Sequence, residues 1–435
     1  MRIVALTNTY APHVGGVARS VVAFTRELRR RGHEVLVVAP TFEGCPEEEE
    51  GVLRVPAIEN FNGSNFSVPG PIPRRVAVAV KQFRPHLVHS HHPFLLGDTA
   101  LRIGARRDVP VVFTHHTLYE HYVHYVPGGA ERLGRMVLEL VTGYCNLCDS
   151  VIAPSESVAA LLVERGIRAP IAVIPTGVDL EVFGKGDGGR FRAAHAIPPD
   201  AFVVGHAGRL AAEKNLGVVG DAMIEVSKSD ENVWAVVAGT GPLRDELSAR
   251  FERAGVAQRV RMTGAIDWPD LADAYAAMDT FVFASRTETQ GMVLTEAMAA
   301  GCPVVAVDAT GAREVVRDGW NGFLLPSEEL RSFVGAIQRM RGLALSDRRA
   351  METRARATAA EMSLEVSVAR LIRLYTRLLD RAPRRTDAAG SWFVPAGKGV
   401  VRDLKIAGNI VRAVGDAVRP LPGSDAGAGR IARWF

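Results

Sequence analysis

The chain has 435 residues, of which 47% are hydrophobic and 23% are charged. This length suits two or three domains, and the composition excludes wholesale disorder. No stretch approaches the roughly 18 consecutive apolar residues of a membrane-spanning helix, so an integral membrane protein is not expected. With 52 basic and 48 acidic residues, the chain does not resemble a dedicated nucleic-acid-binding protein. Four cysteines make no disulfide framework, and the apolar start is too short for a signal peptide, so we expect a reduced, cytoplasmic protein.

Basic side chains are concentrated in three clusters near the start of the chain. The clusters are Arg26, Arg29, Arg30 and Arg31; Arg74, Arg75, Lys81 and Arg84; and Arg102, Arg106 and Arg107. One interpretation is that they are solvated helix faces. The other is a surface that docks on anionic lipid, where each Lys or Arg contributes about 1 kcal/mol.

Short apolar runs, bounded by Pro, Gly or Asp, alternate with helix-length segments. A first series lies at 3–6, 34–39, 87–89, 111–114, 151–153 and 171–174. A second series begins near residue 200 and lies at 202–205, 234–237, 260–262, 280–283 and 303–306. Buried strands joined by crossover helices form parallel sheets with helices on both faces. The pattern predicts an α/β protein with two doubly wound domains facing a cleft, and the cleft is the default ligand site.

A glycine-rich polar segment between the two series predicts a hinge near residues 175–189. We therefore assign residues 1–177 to the first domain and residues 178–362 to the second. An amphipathic helix is predicted at 363–380, and residues 381–435 form a linker and an amphipathic tail.

The tail repeats apolar residues at helical spacing, namely Val400, Leu404, Ala407, Val411, Val414 and Val418. Basic residues fall elsewhere on the predicted helix, although three glycines weaken the prediction. The apolar stripe favours either a helix that packs on the core or on a partner, or a basic amphipathic helix that lies on a membrane.

The most informative polar string runs from Ser285 to Pro303 and contains two carboxylates, Glu288 and Glu296. Glu288 follows a predicted strand, whereas Glu296 falls on the next helix, which begins after Gly291. A helix N-terminus after a strand supplies free N–H groups for a phosphate, and a nearby carboxylate can accept hydrogen bonds from sugar hydroxyls.

A second string follows the predicted strand at 202–205 and includes Gly208, Arg209 and Lys214. Arg209 offers a planar fork for phosphate oxygens, and Lys214 offers a compact charge. Two cations at the carboxyl end of a strand and at the start of a helix predict a site that clamps a diphosphate.

Together with Gly15-Gly16-Val17 after the first strand and the hinge motif at 174–179, these strings resemble glycosyltransferase family 4. Its members are retaining enzymes of the GT-B fold that use nucleotide-sugar donors. The resemblance spans residues 1 to about 380 and does not cover the tail. It implies two Rossmann-like domains and a closing helix at 363–380 that crosses back onto the first domain.

The resemblance also implies roles for individual residues. Arg209 and Lys214 would bind the donor diphosphate, Glu288 the donor sugar and Glu296 the ribose. Gly16 would let the backbone approach the donor phosphate and the acceptor, where a side chain would block them.

The first domain carries a finer resemblance at 113–125, which is similar to a histidine- and tyrosine-rich stretch of bacterial diacylglycerol glucosyltransferases. Residues 88–94, residues 59–64 and Gln290 are also similar to that subgroup. The subgroup usually has an aromatic residue before its functional histidine, whereas this chain has Thr114-His115. We align the functional histidine with His116, keep His115 as a rival, and expect His116 to contact a donor-sugar hydroxyl. The candidates on the acceptor side are His91, His115, Tyr119 and Glu120.

Twelve histidines could suggest a metal site, but no acidic partner stands at metal-ligand spacing. The resemblance implies catalysis without a metal or other cofactor, because the Arg209/Lys214 pair and a helix dipole take the place of the cation. Cys145 and Cys148 lie inside a helical pattern, so we expect buried, inert thiols.

The expected activity is transfer of a hexose from a nucleotide diphosphate sugar to a membrane lipid such as diacylglycerol, with formation of an α-glycosidic bond. UDP-glucose is the favoured donor, and a GDP-mannose-dependent enzyme or a soluble acceptor is the alternative. A non-catalytic nucleotide-sugar-binding protein and an epimerase are rivals of a different class. We expect the protein at the inner face of the cell membrane as a peripheral protein with no nucleic-acid partner.

Overall fold

The computed structural model describes residues 1–13, 15–58, 67–69, 74–119, 130–381 and 393–418. They form two α/β domains, each built on a parallel sheet, and a C-terminal helix that lies on the first domain.

The first domain contains a seven-stranded sheet in the order β3-β2-β1-β6-β7-β8-β9, in which every neighbouring pair is parallel. Its strands are β1 (Arg2–Leu6), β2 (Glu34–Pro40), β3 (Val52–Val55), β6 (Leu87–Ser90), β7 (Val111–Thr114), β8 (Ser150–Ala153) and β9 (Ile171–Val173). A separate antiparallel pair consists of β4 (Ala57–Ile58) and β5 (Val68–Pro69). The strand order reverses at β1, so the chain segments after β1 and β6 meet at a switch point.

Helices cover both faces of this sheet. One face carries α1 (Gly16–Arg30) and α14 (Leu364–Arg381), whose apolar stripes share one core with the strands. The other face carries α2 (Arg74–Phe83), α3 (Leu96–Arg107), α4 (Ala130–Cys145) and α5 (Glu156–Glu164). Cys145 and Cys148 are free thiols buried in this second core, and burial raises the pKa of both thiols.

The second domain contains a six-stranded parallel sheet in the order β12-β11-β10-β13-β14-β15. Its strands are β10 (Phe202–Ala207), β11 (Val233–Ala238), β12 (Val260–Gly264), β13 (Thr280–Phe283), β14 (Val304–Val307) and β15 (Gly322–Leu325). Its helices are α6 (Leu180–Phe183), α7 (Gly188–Ala194), α8 (Leu216–Ser229), α9 (Arg244–Arg253), α10 (Asp270–Ala277), α11 (Met292–Ala299), α12 (Leu330–Arg341) and α13 (Leu345–Glu361). Because β10 lies beside β13, the segments that follow these two strands meet at the second switch point.

The two chain crossings between the domains lie side by side. The Val178 N–H donates to the Met362 carbonyl at 3.0 Å, and the Leu364 N–H donates to the Val178 carbonyl at 2.9 Å. A Cβ on Gly177 would lie 2.2 Å from the Leu364 Cα, so a glycine is needed for this approach. The polypeptide leaves the first domain and returns to it through one narrow double connection.

The first basic cluster is used inside the fold. Arg26 pairs with Asp179 at the start of α6, and Arg31 pairs with Glu27. The Arg29 guanidinium donates to the carbonyls of Val35 and Gly51. This cluster therefore connects elements of the fold, whereas the cations of α2 are exposed.

The tail forms α15 (Phe393–Val418), which packs on α3 and α4. The packed side contains Ile406 and Ala413, which are buried. The stripe that contains Val400, Leu404 and Val411 faces solvent. The helix therefore joins the first domain through the side opposite to its apolar stripe.

Candidate active site

The acidic string forms a loop between β13 and α11, at the second switch point. Gly291 caps α11 with φ of +68°, in the left-handed region that favours glycine. Gly311 lies against the same loop, because a Cβ there would be 2.9 Å from the Gln290 carbonyl carbon. These close approaches hold the loop against the start of the helix.

Glu288 and Lys214 form an ion pair across the switch point, between Glu288 Oε1 and Lys214 Nζ. Lys214 belongs to a short 3-10 turn at Ala212–Lys214, just after β10 and before α8. Both side chains are about one-fifth exposed, at 21% for Lys214 and 22% for Glu288. Lys214 and Glu288, which stand in two separate motifs of the sequence, therefore form one partly accessible ion pair.

Arg209 lies two residues after β10, in the segment that leads to Lys214, and its side chain is exposed. The preceding Gly208 has φ of +147°, and a Cβ there would meet no atom within 4 Å. The space in front of the Gly208 backbone is therefore open.

A second glycine turn, which the sequence analysis missed, lies next to Gly208. Gly239 and Gly241 follow β11 with φ of +135° and +156°. A Cβ on Gly239 would lie only 1.9 Å from the Gly208 carbonyl oxygen. The signal was the Gly-Thr-Gly that follows a buried strand, a pattern typical of backbone that approaches a ligand or another chain segment.

Glu296 lies one turn into α11 and is buried. The Tyr275 hydroxyl donates to its Oε2 at 2.9 Å, and Arg19 of α1 approaches its Oε1 at 4.0 Å. Burial raises the pKa of this carboxyl, and the Arg19 charge and the Tyr275 hydrogen bond oppose that shift. Arg19 and Tyr275 were not among the predicted site residues, and neither stands within a motif that the sequence displays.

The acidic loop is tied to the first domain by two neighbouring residues. The Thr289 hydroxyl donates to the His116 carbonyl at 2.9 Å, and the Thr289 carbonyl accepts from the Ser155 hydroxyl at 2.8 Å. The Gln290 amide accepts from the Thr176 N–H and donates to the Thr176 carbonyl, both at 2.6 Å. The position of the loop is therefore coupled to the hinge.

The histidines of the first domain meet at the carboxyl ends of β6 and β7. His116 is half-buried, and its Nε2 lies 3.0 Å from Nδ1 of His91. The His91 ring also packs on the His89 ring, with 4.2 Å between centroids. Burial lowers the pKa of both His91 and His116 well below the usual value, so at neutral pH one uncharged ring donates to the other.

The remaining acceptor-side candidates are placed differently. His115 is buried between Phe113 and Tyr119, with ring centroids 5.9 Å and 6.4 Å away. Tyr119 packs edge-on against Phe94 and is half-buried. Glu120 lies outside the described residues. Of the two rival histidines, His116 is the one that borders the second domain.

Gly16 opens α1 on the first-domain side. It is the first residue of the helix, and a Cβ there would meet no atom within 4 Å. Internal packing therefore leaves room for a side chain at this position.

Within the described ranges, no three His, Cys, Asp or Glu side chains are grouped so that they could share a metal ion. His121 and His124 lie outside those ranges. None of the described helices is long and apolar enough to cross a membrane.

Comparison with known proteins shows the family. Residues 14–182 match the model of Glycosyltransferase Family 4, and residues 188–358 match that of Glycosyl transferases group 1. The chain is 32% identical to the alpha-monoglucosyldiacylglycerol synthase of Streptococcus pneumoniae over 345 residues, which cover 78% of this chain and 77% of the relative. The chain belongs to glycosyltransferase family 4.

Other relatives of this glycosyltransferase carry the names of different activities. It is 31% identical to the GDP-mannose-dependent alpha-mannosyltransferase of Mycobacterium tuberculosis, over 76% of this chain and 85% of the relative. Anabaena HepE, solved with UDP and glucose, superposes with a TM-score of 0.67 at 22% identity over 87% of this chain and 100% of that chain. Sucrose-phosphate synthase from Thermosynechococcus elongatus gives 0.70 at 21%, covering 87% of this chain and 99% of that chain. The protein is an enzyme with the GT-B fold, as predicted, and its relatives include monoglucosyldiacylglycerol synthases and mannosyltransferases.

Proposed function

We propose that this glycosyltransferase moves glucose from UDP-glucose to a membrane lipid such as diacylglycerol and forms an α-glycosidic bond. The observation that carries the proposal is the Lys214–Glu288 pair at the switch point of the second domain, with exposed Arg209 in the same loop as Lys214. Similarity to a monoglucosyldiacylglycerol synthase supports the choice of glucose and of the lipid. We propose that the enzyme works as a peripheral protein at the inner face of the cell membrane, where this acceptor lies.

The residues of the second domain bind the donor in this proposal. Arg209 and Lys214 neutralise the negative charge that develops on the departing nucleoside diphosphate, and stabilisation of such charge is a large part of catalysis. Lys214 has three N–H donors, so it can hold a phosphate oxygen while it keeps Glu288 in place. Glu288 then accepts hydrogen bonds from the hydroxyls of the sugar, and Glu296 accepts from the ribose.

The residues of the first domain complete the site. The His116 ring, oriented by His91, contacts a hydroxyl of the donor sugar. Gly16 lets the backbone come close to the donor phosphate and the acceptor. Closure of the cleft excludes water and so limits hydrolysis of the donor. No metal takes part, because two side-chain cations already face the diphosphate.

Retention of configuration is also part of the proposal. The acceptor hydroxyl attacks the same face from which the diphosphate leaves, and the departing phosphate takes the proton. A covalent glycosyl-enzyme trapped on any carboxylate would contradict this route. Nuclear magnetic resonance of the product should show an α-linkage.

The second candidate donor is GDP-mannose, which several relatives use according to their names. The two candidates share the clamp for the diphosphate and differ in the base and in the hydroxyl at C2 of the sugar. The residues described here leave both donors chemically acceptable.

The deciding experiment incubates the full chain with UDP-glucose or GDP-mannose and diacylglycerol, in the presence of a chelator. Glycolipid and free nucleoside diphosphate are measured together, and Glu288→Gln serves as the control. Glucolipid from UDP-glucose alone is the expected result. Nucleotide release without glycolipid would contradict the lipid acceptor, mannolipid would contradict the donor, and activity only without chelator would contradict metal independence.

A further inference from the structure

The tail helix α15 lies on the first domain with a fixed orientation. The Arg102 guanidinium bonds the Asp403 carboxylate at 2.8 Å, and Arg402 donates to the Leu147 carbonyl. Ile406 is buried in the core of the domain, and a Cβ on Gly143 would touch the Asn409 side chain at 2.7 Å. These contacts lie on one side of α15 and therefore determine which side of the helix faces away from the first domain.

The outer side is apolar. Val400, Leu404 and Val411 are 60%, 67% and 71% exposed, and Val401 is 52% exposed. Because successive residues turn by about 100°, positions 400, 404, 407 and 411 form one stripe along the helix. We call these four residues the outer stripe. Isolated exposed apolar residues are ordinary, but a continuous stripe marks an interaction surface.

A row of cations lies between the outer stripe and the packed side. Lys398, Lys405 and Arg412 stand seven residues apart, so they share one side of the helix, about 100° around it from the near edge of the outer stripe. Lys405 and Arg412 are exposed, and Lys398 also reaches Asp108, which directly follows α3, at 2.7 Å. Asp403 is the single acidic residue in the sequence from 398 to 413, and it is paired with Arg102 at the other edge.

We propose that the outer stripe of α15 is the surface by which this enzyme lies on an anionic lipid bilayer. An exposed apolar stripe with cations on one flank of the same helix matches the boundary between acyl chains and anionic headgroups. A second copy of this chain fits less well, because two such rows of like charge would meet across a symmetric interface. The proposal extends the proposed function, since it supplies the contact with the membrane in which the lipid acceptor lies.

A second surface supports this orientation. Helix α2 exposes Arg74, Val78 and Lys81, and its buried residues share one core with Ile406. The basic cluster of α2 therefore lies on the same side of the first sheet as the tail helix. The relatives named above match about three-quarters of this chain, so the comparisons leave room for a tail-specific surface.

The test measures sedimentation of the full chain with vesicles, without donor or acceptor. Vesicles of phosphatidylglycerol and phosphatidylcholine in equal parts are compared with phosphatidylcholine alone. Leu404→Asp is expected to weaken binding to the anionic vesicles by on the order of tenfold or more, because an apolar contact is lost and a negative charge is added. Leu345→Asp is the matched control, since Leu345 is 63% exposed at the start of α13 in the other domain. Equal binding by the two variants would overturn the proposal.

A second variant tests the cations and leaves both the stripe and the packed side unchanged. Lys405→Gln with Arg412→Gln should weaken binding to anionic vesicles by about 25-fold, at about fivefold for each charge, and should leave binding to neutral vesicles unchanged. Unchanged binding to anionic vesicles would overturn the anionic partner. Thermal unfolding of each variant, followed by circular dichroism, shows whether the domain is intact.

Sedimentation velocity tests whether a second copy of this chain, instead of a bilayer, covers the outer stripe. A wild-type dimer that Leu404→Asp converts to a monomer, with no difference in vesicle binding, would overturn the proposal in favour of an interface between copies. Because no donor is present, failure of vesicle binding leaves the proposed glucosyl transfer standing. Failure of transfer to diacylglycerol likewise leaves vesicle binding standing.

Discussion

The hydroxyl of Tyr375 on the returning helix lies 2.6 Å from Nδ1 of His89, across 286 residues of sequence. His89 packs on His91, which bonds His116 at the border of the cleft. The helix that closes the first domain is therefore connected to the candidate active site through three rings.

We predict that Tyr375→Phe lowers the free energy of unfolding by about 1–3 kcal/mol, because Nδ1 of His89 is left buried without its partner. Glycosyl transfer should fall as well, because the His89 ring that packs on His91 loses one of its two hydrogen bonds and keeps the one between its Nε2 and the Thr114 hydroxyl. The measurements are urea unfolding and turnover at saturating donor.

Tyr144→Phe is the control for this change. Tyr144 is also buried in the first domain, and its hydroxyl bonds Ser90 and Gly97. It should lose similar stability and keep its turnover. Equal turnover in the two variants would show that the contact at His89 is purely structural.

Gly16→Ala should separate folding from function. A methyl group there meets no atom of the protein, and alanine is about 0.8–1.0 kcal/mol better than glycine inside a helix, so the stability should stay equal or rise. If the donor or acceptor approaches this backbone, the same methyl group should block transfer. Thermal unfolding and donor affinity are the two measurements.

Gly97→Ala provides the contrast, since its Cβ would lie 2.1 Å from the His92 carbonyl oxygen. This variant should lose stability for reasons of packing alone. Full activity of Gly16→Ala would remove Gly16 from the candidate site.

Arg209→Ala should reduce turnover by roughly 100- to 1,000-fold, the usual loss when one group that stabilises transition-state charge is removed. Its stability should stay within about 0.5 kcal/mol, because the side chain is exposed. Arg331→Ala removes an exposed arginine of α12 and should change neither quantity. Lys214→Ala and Glu288→Ala should also lose transfer while the fold persists, and normal turnover in any of the three would remove that residue from the site.

Stability should fall as the pH falls from 7 to 5. Burial lowers the pKa of His89 and His92 to about 3 and that of His206 to about 4. In the unfolded chain each histidine titrates near 6.5, so below that pH the unfolded state takes up protons that the folded state does not. Below pH 6.5, each histidine therefore lowers the free energy of unfolding by up to about 1.4 kcal/mol for every unit that the pH falls, until the pH reaches the pKa of that histidine in the folded state.

The raised pKa of Glu296 acts in the opposite direction, because its folded carboxyl takes up a proton before the unfolded one does. Urea midpoints at pH 7, 6 and 5 measure the balance. His206→Asn, which keeps a donor for the Val282 carbonyl that His206 Nδ1 faces, should show a shallower pH dependence than wild type. Midpoints independent of pH would contradict the assignment of neutral, buried histidines.

Local patterns predicted most of the parallel strands and the strings at Arg209 and Glu288. The edge strands β3 and β15 were missed, since Arg54 interrupts the apolar run of β3 and β15 begins with a glycine. The tail helix was predicted, but the direction of its stripe was not, because periodicity does not distinguish a buried apolar face from an exposed one.

Contacts between residues that are distant in sequence were not predicted either, because local patterns do not relate such positions. The bonds of Gln290 with Thr176 span 114 residues, and those of Tyr275 with Glu296 cross between two helices. No spacing rule joins such positions, since they meet only after both sheets have formed. The sequence therefore predicted the charged groups of the candidate site but not the residues that contact them.

The double connection at Val178 and Leu364 has a consequence for biosynthesis. The second domain is a continuous stretch placed inside the first, whose core needs α14 to cover α1. During synthesis the second domain can fold while the first still lacks one face of its core. The first part of the enzyme to leave the ribosome is thus the last to be completed, and a chain that stops before Tyr375 would expose apolar surface along α1.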